Sequence, residues 1–145
     1  MRTPTAISLF SGCGGMDLGF VQAGFNVLWA NDINGFACKT YAHNIGDHIV
    51  HGDITEIDYQ SIPTADIIIG GFPCQDFSML WKRGGVNTDR GNLYKNFVDL
   101  VAQKNPKVFV AENVKGILTA NKKQAIKQII EDFSNTGEIG YNTKA

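Results

Sequence analysis

The sequence predicts an α/β fold in which a parallel sheet carries helices on both faces. Short apolar runs of strand length alternate along the chain with amphipathic stretches of helix length. This alternation is typical of parallel sheets, because each parallel connection needs a crossover that a helix usually supplies. The 145 residues suffice for one domain with a single core. We therefore expect no independent second domain.

Five strands are predicted from runs rich in isoleucine, valine and other apolar residues. They are Ala6–Phe10, Val27–Ala30, Ile49–Val50, Ile67–Ile69 and Val108–Ala111. In an open parallel sheet, ligands bind in the crevice outside the carboxyl ends of the strands. Residues that directly follow these runs are therefore the candidates for function.

Three helices are predicted from local start and stop signals. The first runs from Gly15 to about Ala23 and ends at Gly24, because glycine readily takes the left-handed conformation that follows a helix. The second begins after Asn34, which is a favourable N-cap residue, and the third spans residues 121–133. The two later helices are expected to bury Phe36, Ala37, Tyr41, Ile126, Ile129, Ile130 and Phe133.

Charge and composition are those of a soluble globular protein. The formal net charge is −1, with 43% hydrophobic and 19% charged residues. No apolar run approaches the roughly 20 residues that a membrane span needs, and residues 1–4 show no signal-peptide pattern. We expect a cytoplasmic protein without a membrane partner. A nucleic-acid ligand would require phosphate contacts that are concentrated locally or supplied by another segment.

Cysteine and histidine spacing favours neither a disulfide framework nor a metal site. The three cysteines include no Cys-x-x-Cys pair. Cys13 and Cys38 are expected to be small buried hydrophobic residues. The histidines at 43, 48 and 51 are close in sequence but not on one helix face, and we interpret them as surface residues.

Cys74 is the candidate nucleophile. It follows the predicted strand 67–69 within the segment Gly70–Ser78, where Pro73 fixes the preceding backbone angle and Gly70–Gly71 permits a close approach. A cysteine reacts as its thiolate, so its site must lower the pKa of the thiol. A buried structural cysteine is the alternative, which the strand-end context disfavours. The polar segment 75–90 is interpreted as a lid with a hinge at Gly84–Gly85.

A second candidate region follows the first three strands. The glycine turn Phe10–Gly15 opens the first helix, but Asp17 replaces the third glycine of a dinucleotide fingerprint, which disfavours an oxidoreductase. Asp32 could accept hydrogen bonds from ribose hydroxyls, and Asp53 from the adenine amino group. Ribose and adenine without phosphate describe an adenosyl ligand such as S-adenosylmethionine. The alternative for either aspartate is a helix cap or turn residue.

The fifth predicted strand brings Glu112 and Asn113 to the same edge as Cys74. A thiol beside a carboxyl group is not a usual hydrolase pair, because cysteine hydrolases need a histidine base. A protonated glutamic acid could instead donate to a ring nitrogen. A salt-bridged or capping glutamate is the alternative.

Four segments in this order and spacing resemble the cytosine-C5 DNA methyltransferase family, particularly its bacterial restriction-modification members. They are Phe10–Gly15, Gly71–Gln75, Asp89–Leu93 and Glu112–Val114. The resemblance extends from about Ile7 to the last residues. It implies a Rossmann-like, S-adenosylmethionine-dependent methyltransferase fold and a double-stranded DNA substrate, through which the protein would associate with the nucleoid.

The resemblance also implies roles for individual residues. Cys74 would add to cytosine C6 while Glu112 protonates N3, with the base flipped out of the duplex and the segment 75–90 closed over it. The S-adenosylmethionine pocket would include Phe10, Ser11, Gly12, Gly14, Gly15, Asp32, Ile33, Asp53, Ile54, Pro73 and Leu93. Contacts with the substrate would come from Gln75, Ser78, Arg90 and Asn113, the last of which would fix the loop near Glu112.

The family's remaining elements are expected beyond Ala145. They are the last strands, a Gln-Arg-x-Arg segment, the target-recognition region and a final helix. We therefore expect residues 1–145 to be the N-terminal portion of the cofactor-binding and catalytic domain, which needs the rest of its chain or a C-terminal polypeptide for activity. A non-catalytic adenosyl-binding subunit and the transfer-RNA-methylating branch of the family remain as alternatives.

Overall fold

A five-stranded parallel sheet forms the centre of the fold. The computed structural model describes residues 2–73, 93–119, 123–137 and 140–144. The strands are β1 (Thr5–Leu9), β2 (Asn26–Asp32), β3 (Ile49–His51), β4 (Ile67–Gly71) and β5 (Val108–Glu112). They lie in the order β3-β2-β1-β4-β5, and every neighbouring pair is parallel. The predicted parallel sheet is confirmed, and each predicted strand coincides with an observed one.

The α-helices of the described residues are α1 (Gly15–Gln22), α2 (Gly35–Asn44), α3 (Leu93–Lys104) and α4 (Gln124–Ser134). Short 3₁₀ helices occupy Ile54–Glu56, Tyr59–Ser61 and Lys115–Leu118. Helix α3 was not among the predicted helices. In the described part of the chain, no helix has the length and apolarity required to cross a bilayer.

Helices α1 and α4 agree closely with their predictions. Gly24 has a φ of 90° just after the end of α1, which is the left-handed conformation expected of a residue that ends a helix. In α4, Ile129 and Phe133 are buried as predicted, whereas Ile126 and Ile130 are half-buried. Helix α4 therefore places the predicted side of its apolar pattern toward a core, whereas the buried residue of α1 is Asp17.

Helix α2 confirms its predicted cap and the predicted burial of Tyr41, whereas Ala37 is half-buried and Phe36 is not buried. The Asn34 side chain accepts hydrogen bonds from the backbone N–H groups of Phe36 and Ala37. Phe36 is 83% exposed, so the prediction that it is buried was wrong. The buried residues are Cys38 and Tyr41, three positions apart. Since Phe36 lies two positions before Cys38, it projects from the other side of the helix.

The chain forms two compact units. The first contains Met1–Gly71 and Pro106–Glu112, and therefore the whole sheet with α1 and α2. The second contains Phe72–Asn105 and Asn113–Ala145, with α3 and α4. Aromatic rings dominate the core of the second unit, where Phe97 packs edge-on against Phe133 at a centroid distance of 5.7 Å. The cores of both units bury large apolar side chains that offset the entropy of ordering the chain.

Candidate functional site

The candidate site lies where the strand order of the sheet reverses direction. Strands β2 and β3 lie on one side of β1, and β4 and β5 lie on the other. In sheets of this kind the crevice for ligands opens at such a switch point, outside the carboxyl ends of the strands. Here the ends concerned are those of β1 at Leu9 and β4 at Gly71.

The turn after β1 has an unusual backbone. Phe10, Gly12 and Gly14 have φ values of 54°, 56° and 90°, a region that is strained for side chains other than glycine. The turn is held by hydrogen bonds from Ser11 N to Asn31 O (3.0 Å) and from Gly14 N to Ser11 O (2.9 Å). An added Cβ at Gly12 would meet nothing within 4 Å. The backbone there is open to a close approach by a ligand.

Asp32, the last residue of β2, connects this turn with α2. Its Oδ2 accepts a hydrogen bond from Gly12 N at 2.8 Å, and its Oδ1 accepts one from Asn34 N at 2.8 Å. A carboxylate offers about four acceptor positions, so capacity remains for ligand hydroxyls. The carboxylate therefore braces the turn in addition to its predicted contact with ribose, which stays a prediction.

Asp53 lies two residues beyond the end of β3 rather than at the strand end itself. Its Oδ1 accepts hydrogen bonds from Thr55 N (3.0 Å) and Thr55 Oγ1 (2.8 Å), which caps a 3₁₀ helix. The capping role that the sequence analysis gave as an alternative is therefore observed. The adenine contact stays a prediction.

Two isoleucines beside these aspartates differ in exposure. Ile33 is 66% exposed, whereas Ile54 is only 3% exposed and belongs to the core. The Asn31 side chain, directly before Asp32, donates to the carbonyls of Val50 and Gly52, both at 2.9 Å. These bonds fix the ends of β2 and β3 side by side. An apolar side chain is thus presented to solvent next to Asp32.

At the other end of the candidate site, β4 and β5 bring Gly71 and Glu112 together. The two residues are paired in the strand register. A Cβ added at Gly71 would lie 2.8 Å from Glu112 Oε2, so the carboxylate packs directly against the glycine. Gly71 precedes Cys74 by three positions. The close approach predicted at Gly70–Gly71 is made here by the side chain of Glu112.

In the second unit, Asn113 ties together the two chain segments that follow β4 and β5. Its Nδ2 donates to Phe72 O at 2.8 Å, and its Oδ1 accepts from Val114 N at 2.9 Å. This bonding is what its predicted loop-fixing role requires. Pro73 is exposed, and Leu93 is half-buried as the first residue of α3. Cys74, Gln75, Ser78, Arg90 and the predicted lid lie outside the described residues.

The two described cysteines differ. Cys38 is buried, and its Sγ donates to the Asp32 carbonyl at 3.4 Å. Burial, assisted by the Asp32 charge, raises the pKa of the Cys38 thiol, so it stays protonated and unreactive. Cys13 is exposed, and the prediction that it is buried was wrong. It lies in the turn after β1 rather than on an element that packs against the core.

A buried polar cluster beneath the glycine turn was missed by the sequence analysis. Asp17, fully buried, accepts hydrogen bonds from Ser8 Oγ at 2.8 Å and from Tyr41 OH at 2.7 Å. His48 Nε2 lies 2.9 Å from the same Tyr41 oxygen, so His48 is not a free surface residue. The partners are up to 24 positions apart in sequence, and no local pattern pairs them.

Metal ligation has no support in the part of the chain that the structure describes. No group of three or more histidine, cysteine, aspartate or glutamate side chains there is arranged to hold an ion. Within the cluster, His48 is bonded to Tyr41 and its pKa is lowered, chiefly by burial. At neutral pH His48 is therefore uncharged.

Comparison with known proteins identifies the family. Residues 5–145 match the family described as C-5 cytosine-specific DNA methylase. The chain belongs to this family. The resemblance seen in its motifs is thus confirmed, and the α/β fold of the sheet and helices agrees with it.

Several relatives are closely similar over the chain. The type II methyltransferase M.NgoFVII of Neisseria gonorrhoeae is 62% identical over 136 residues, covering 92% of this chain and 36% of the relative. The type II methyltransferase M.FnuDI of Fusobacterium nucleatum is 42% identical over 136 residues, covering 94% of this chain and 39% of the relative. The chain therefore spans little more than a third of the length of these relatives.

Solved structures share the fold. A protein described as a prophage-encoded DNA modification methyltransferase of E. coli superposes with a TM-score of 0.72 at 33% identity, covering 91% of this chain and 38% of that one. The Dnmt2 methyltransferase of S. pombe superposes with a TM-score of 0.70 at 22% identity, covering 90% of this chain and 42% of that one. At that identity the second likeness bears on the fold alone.

Proposed function

We propose that this chain forms the cofactor-binding and catalytic portion of an enzyme that methylates C5 of cytosine in double-stranded DNA. Its relatives of similar sequence are named methyltransferases, and the matched region covers 36% and 39% of their length. We therefore assign activity to the complete enzyme, meaning this chain together with the portion that its relatives carry beyond it. That portion belongs either to the same chain or to a separate polypeptide.

The residues around the turn after β1 fit S-adenosylmethionine. The open backbone at Gly12 allows a close approach, Asp32 retains acceptor capacity for ribose hydroxyls, and exposed Ile33 offers an apolar surface to a flat ring. The carboxylate of Asp17 lies buried beneath the turn, which disfavours a pyrophosphate there. When bound, this cofactor supplies an electrophilic methyl group on a positively charged sulfur.

In the proposed reaction the protein makes cytosine C5 nucleophilic. The Cys74 thiolate adds to C6 while the carboxylic acid of Glu112 gives a proton to N3, so that electron density moves to C5, which then takes the methyl group. Loss of the C5 proton to a base, breakage of the Sγ–C6 bond and return of the N3 proton to Glu112 restore the aromatic ring and free the enzyme. The target base must leave the stacked duplex for this chemistry.

One structural observation carries the proposal. The register of β4 and β5 puts the Glu112 carboxylate against Gly71, three positions before Cys74. Asn113, directly after Glu112, bonds to the carbonyl of Phe72, two positions before Cys74. The proposed acid thus ends β5, and the proposed nucleophile follows the end of the neighbouring strand β4 by three positions in the sequence.

The decisive experiment uses a duplex that contains 5-fluorocytosine at the target position. Fluorine cannot leave as the C5 proton does, so the Sγ–C6 bond cannot break after methyl transfer. The complete enzyme is expected to form a stable covalent complex with this DNA in the presence of S-adenosylmethionine. The Cys74→Ser variant should form none and should lose at least about 10³-fold of its methylation rate on ordinary DNA, as expected for removal of a nucleophile.

Cys38→Ser is the matched control, because it makes the same chemical change at a buried thiol. The serine hydroxyl can donate to the Asp32 carbonyl as the Cys38 thiol does. It should retain complex formation and activity within about threefold. Methylation that persists near the wild-type rate in Cys74→Ser would refute the covalent mechanism. If the enzyme methylates RNA in preference to duplex DNA, it belongs instead to the transfer-RNA-methylating branch of the family.

A further inference from the structure

Tyr41 contacts the glycine turn and the first helix at once. An alanine Cβ built at Gly14 would lie 2.7 Å from Tyr41 Cδ2 and 2.9 Å from Tyr41 Cε2, and it would also clash with Ile45. The Tyr41 ring therefore packs directly against the Gly14 backbone. Its hydroxyl donates to Asp17 Oδ2 at 2.7 Å. One fully buried side chain of α2 thus supports both the turn and the start of α1.

Asp17 lies in the first turn of α1, and its anchoring fixes where that helix begins. Gly14 is the N-cap residue of α1 and makes no side-chain capping bond. A carboxylate in the first turn also interacts favourably with the helix dipole. The second oxygen, Oδ1, accepts from Ser8 Oγ on β1 at 2.8 Å. The Asp17 carboxylate is therefore held by Ser8 of β1 and by Tyr41 of α2, and through it β1 and α2 fix where α1 begins.

His48 completes the arrangement. Because a carboxylate only accepts hydrogen bonds, the Tyr41 hydroxyl proton is donated to Asp17. The Tyr41 oxygen therefore accepts the hydrogen bond from His48, whose Nε2 lies 2.9 Å away and carries the proton. Burial and the Asp17 bond raise the pKa of the Tyr41 hydroxyl. Tyr41 thus stays a neutral donor across the working pH range. The hydrogen bonds then run from His48 to Tyr41 and from Tyr41 to Asp17.

We propose that Tyr41 is a positioning residue for S-adenosylmethionine, acting through Gly14 and Asp17 to hold the turn after β1 in its binding geometry. This rests on the proposed function, because it assigns that turn to the cofactor. Tyr41 itself is fully buried, so it cannot contact the ligand directly. Its removal should therefore weaken cofactor binding without changing the chemical step.

The chain contains a matched tyrosine in its second unit. Tyr94 is also buried, its hydroxyl also donates to a carboxylate, that of Asp132, at 2.7 Å, and its pKa is also raised chiefly by burial. Tyr94 and Asp132 are on α3 and α4 of the second unit. Tyr94→Phe therefore removes the same kind of bond, and that bond involves neither Gly14 nor Asp17.

The test compares Tyr41→Phe with Tyr94→Phe in the complete enzyme by steady-state kinetics. Tyr41→Phe keeps the ring against Gly14 but removes the donor to Asp17. It should raise KM for S-adenosylmethionine about fivefold to tenfold, as expected for loss of a hydrogen bond to a charged group. The kcat at saturating cofactor and KM for DNA should stay within about twofold, which is the signature of lost uniform binding.

Both variants should melt a few degrees lower, about 2–6 °C, so melting alone does not separate them. Tyr94→Phe should leave KM for S-adenosylmethionine within about twofold of wild type. If both variants raise this KM equally, or if neither does, the positioning role of Tyr41 is overturned.

Ser8→Ala provides a second variant in case Tyr41→Phe does not fold. It removes the other donor to Asp17 and leaves the Tyr41 ring in place, and a similar rise in KM for S-adenosylmethionine supports the tether through Asp17. An unchanged KM in Ser8→Ala overturns it. The proposed function is tested separately by the wild-type enzyme: failure of wild type to use S-adenosylmethionine refutes both proposals, whereas active wild type with an unaltered Tyr41→Phe refutes only this one.

Discussion

Two glycine-containing segments follow the two neighbouring strands at the centre of the sheet, yet their glycines serve different physical purposes. After β1, Gly12 and Gly14 take positive φ values, so they are required by backbone conformation. At the end of β4, Gly71 is required because the Glu112 carboxylate lies where its side chain would be. The first segment has a backbone that only glycine adopts without strain, and the second makes room for the Glu112 carboxylate. Substitutions should therefore damage them in different ways.

The largest effect is expected from Gly14→Ala. The added methyl group would clash with the Tyr41 ring, which is fully buried, and with the Cδ1 atom of Ile45, and alanine is strained at a φ of 90°. Together these costs should lower the free energy of unfolding by about 2–5 kcal/mol. Urea denaturation of the complete enzyme measures this loss.

Gly12→Ala is the matched control for Gly14→Ala. Gly12 has a similar positive φ of 56°, but an added Cβ meets nothing within 4 Å. Only the conformational cost remains, about 1–2 kcal/mol. The difference between the two variants isolates the packing of Tyr41 and Ile45 against Gly14. Equal losses would mean that Tyr41 gives Gly14 no support.

Gly71→Ala should reduce activity rather than stability. The atom that the new methyl group meets is Glu112 Oε2, the far end of a flexible side chain. The carboxylate can rotate away, so the free energy of unfolding should change by less than about 1 kcal/mol. A displaced acid should nevertheless lower kcat about 10- to 100-fold, because a shift of roughly 1 Å in a reacting group has an effect of that size.

A double-mutant cycle shows whether Gly71→Ala acts through Glu112. In a Glu112→Gln background the acid is already absent, so Gly71→Ala should cause no further loss of kcat. Methyl transfer under single-turnover conditions gives the rate for each of the four proteins. If Gly71→Ala lowers kcat as much in the Glu112→Gln background as in wild type, the glycine does not act through Glu112. The contact between Gly71 and Glu112 would then have no effect on catalysis.

The fold was largely predictable because its signals are local. The run Ile67–Ile69 is bounded by residues that break regular structure, and Asn34 sits directly before an apolar helical pattern. The candidate site was predictable only as a set of strand-end positions. That Glu112 would pack on Gly71 depends on the register of β4 and β5, which no local pattern specifies.

The errors have physical causes of the same kind. Phe36 was predicted to be buried because it is apolar, but the face of α2 that packs inward was fixed by Cys38 and Tyr41. Asp17 looked like a departure from a nucleotide motif, whereas its carboxylate is a buried acceptor for Ser8 and Tyr41. A polar residue inside a core is explained by its partners. Those partners lie on other elements.

The smallest effect, and the reverse in sign, is expected from Gly19→Ala. Gly19 lies within α1, shows no positive φ, and an added Cβ there would meet nothing within 4 Å. It therefore has neither of the two requirements that distinguish Gly14 and Gly71. Alanine is favoured over glycine inside a helix, so the free energy of unfolding should rise by about 0.5–1 kcal/mol. Urea denaturation measures this rise, with activity measured in parallel. A lower urea midpoint in Gly19→Ala would contradict the prediction. It would mean that Gly19 serves a purpose other than backbone conformation or close packing.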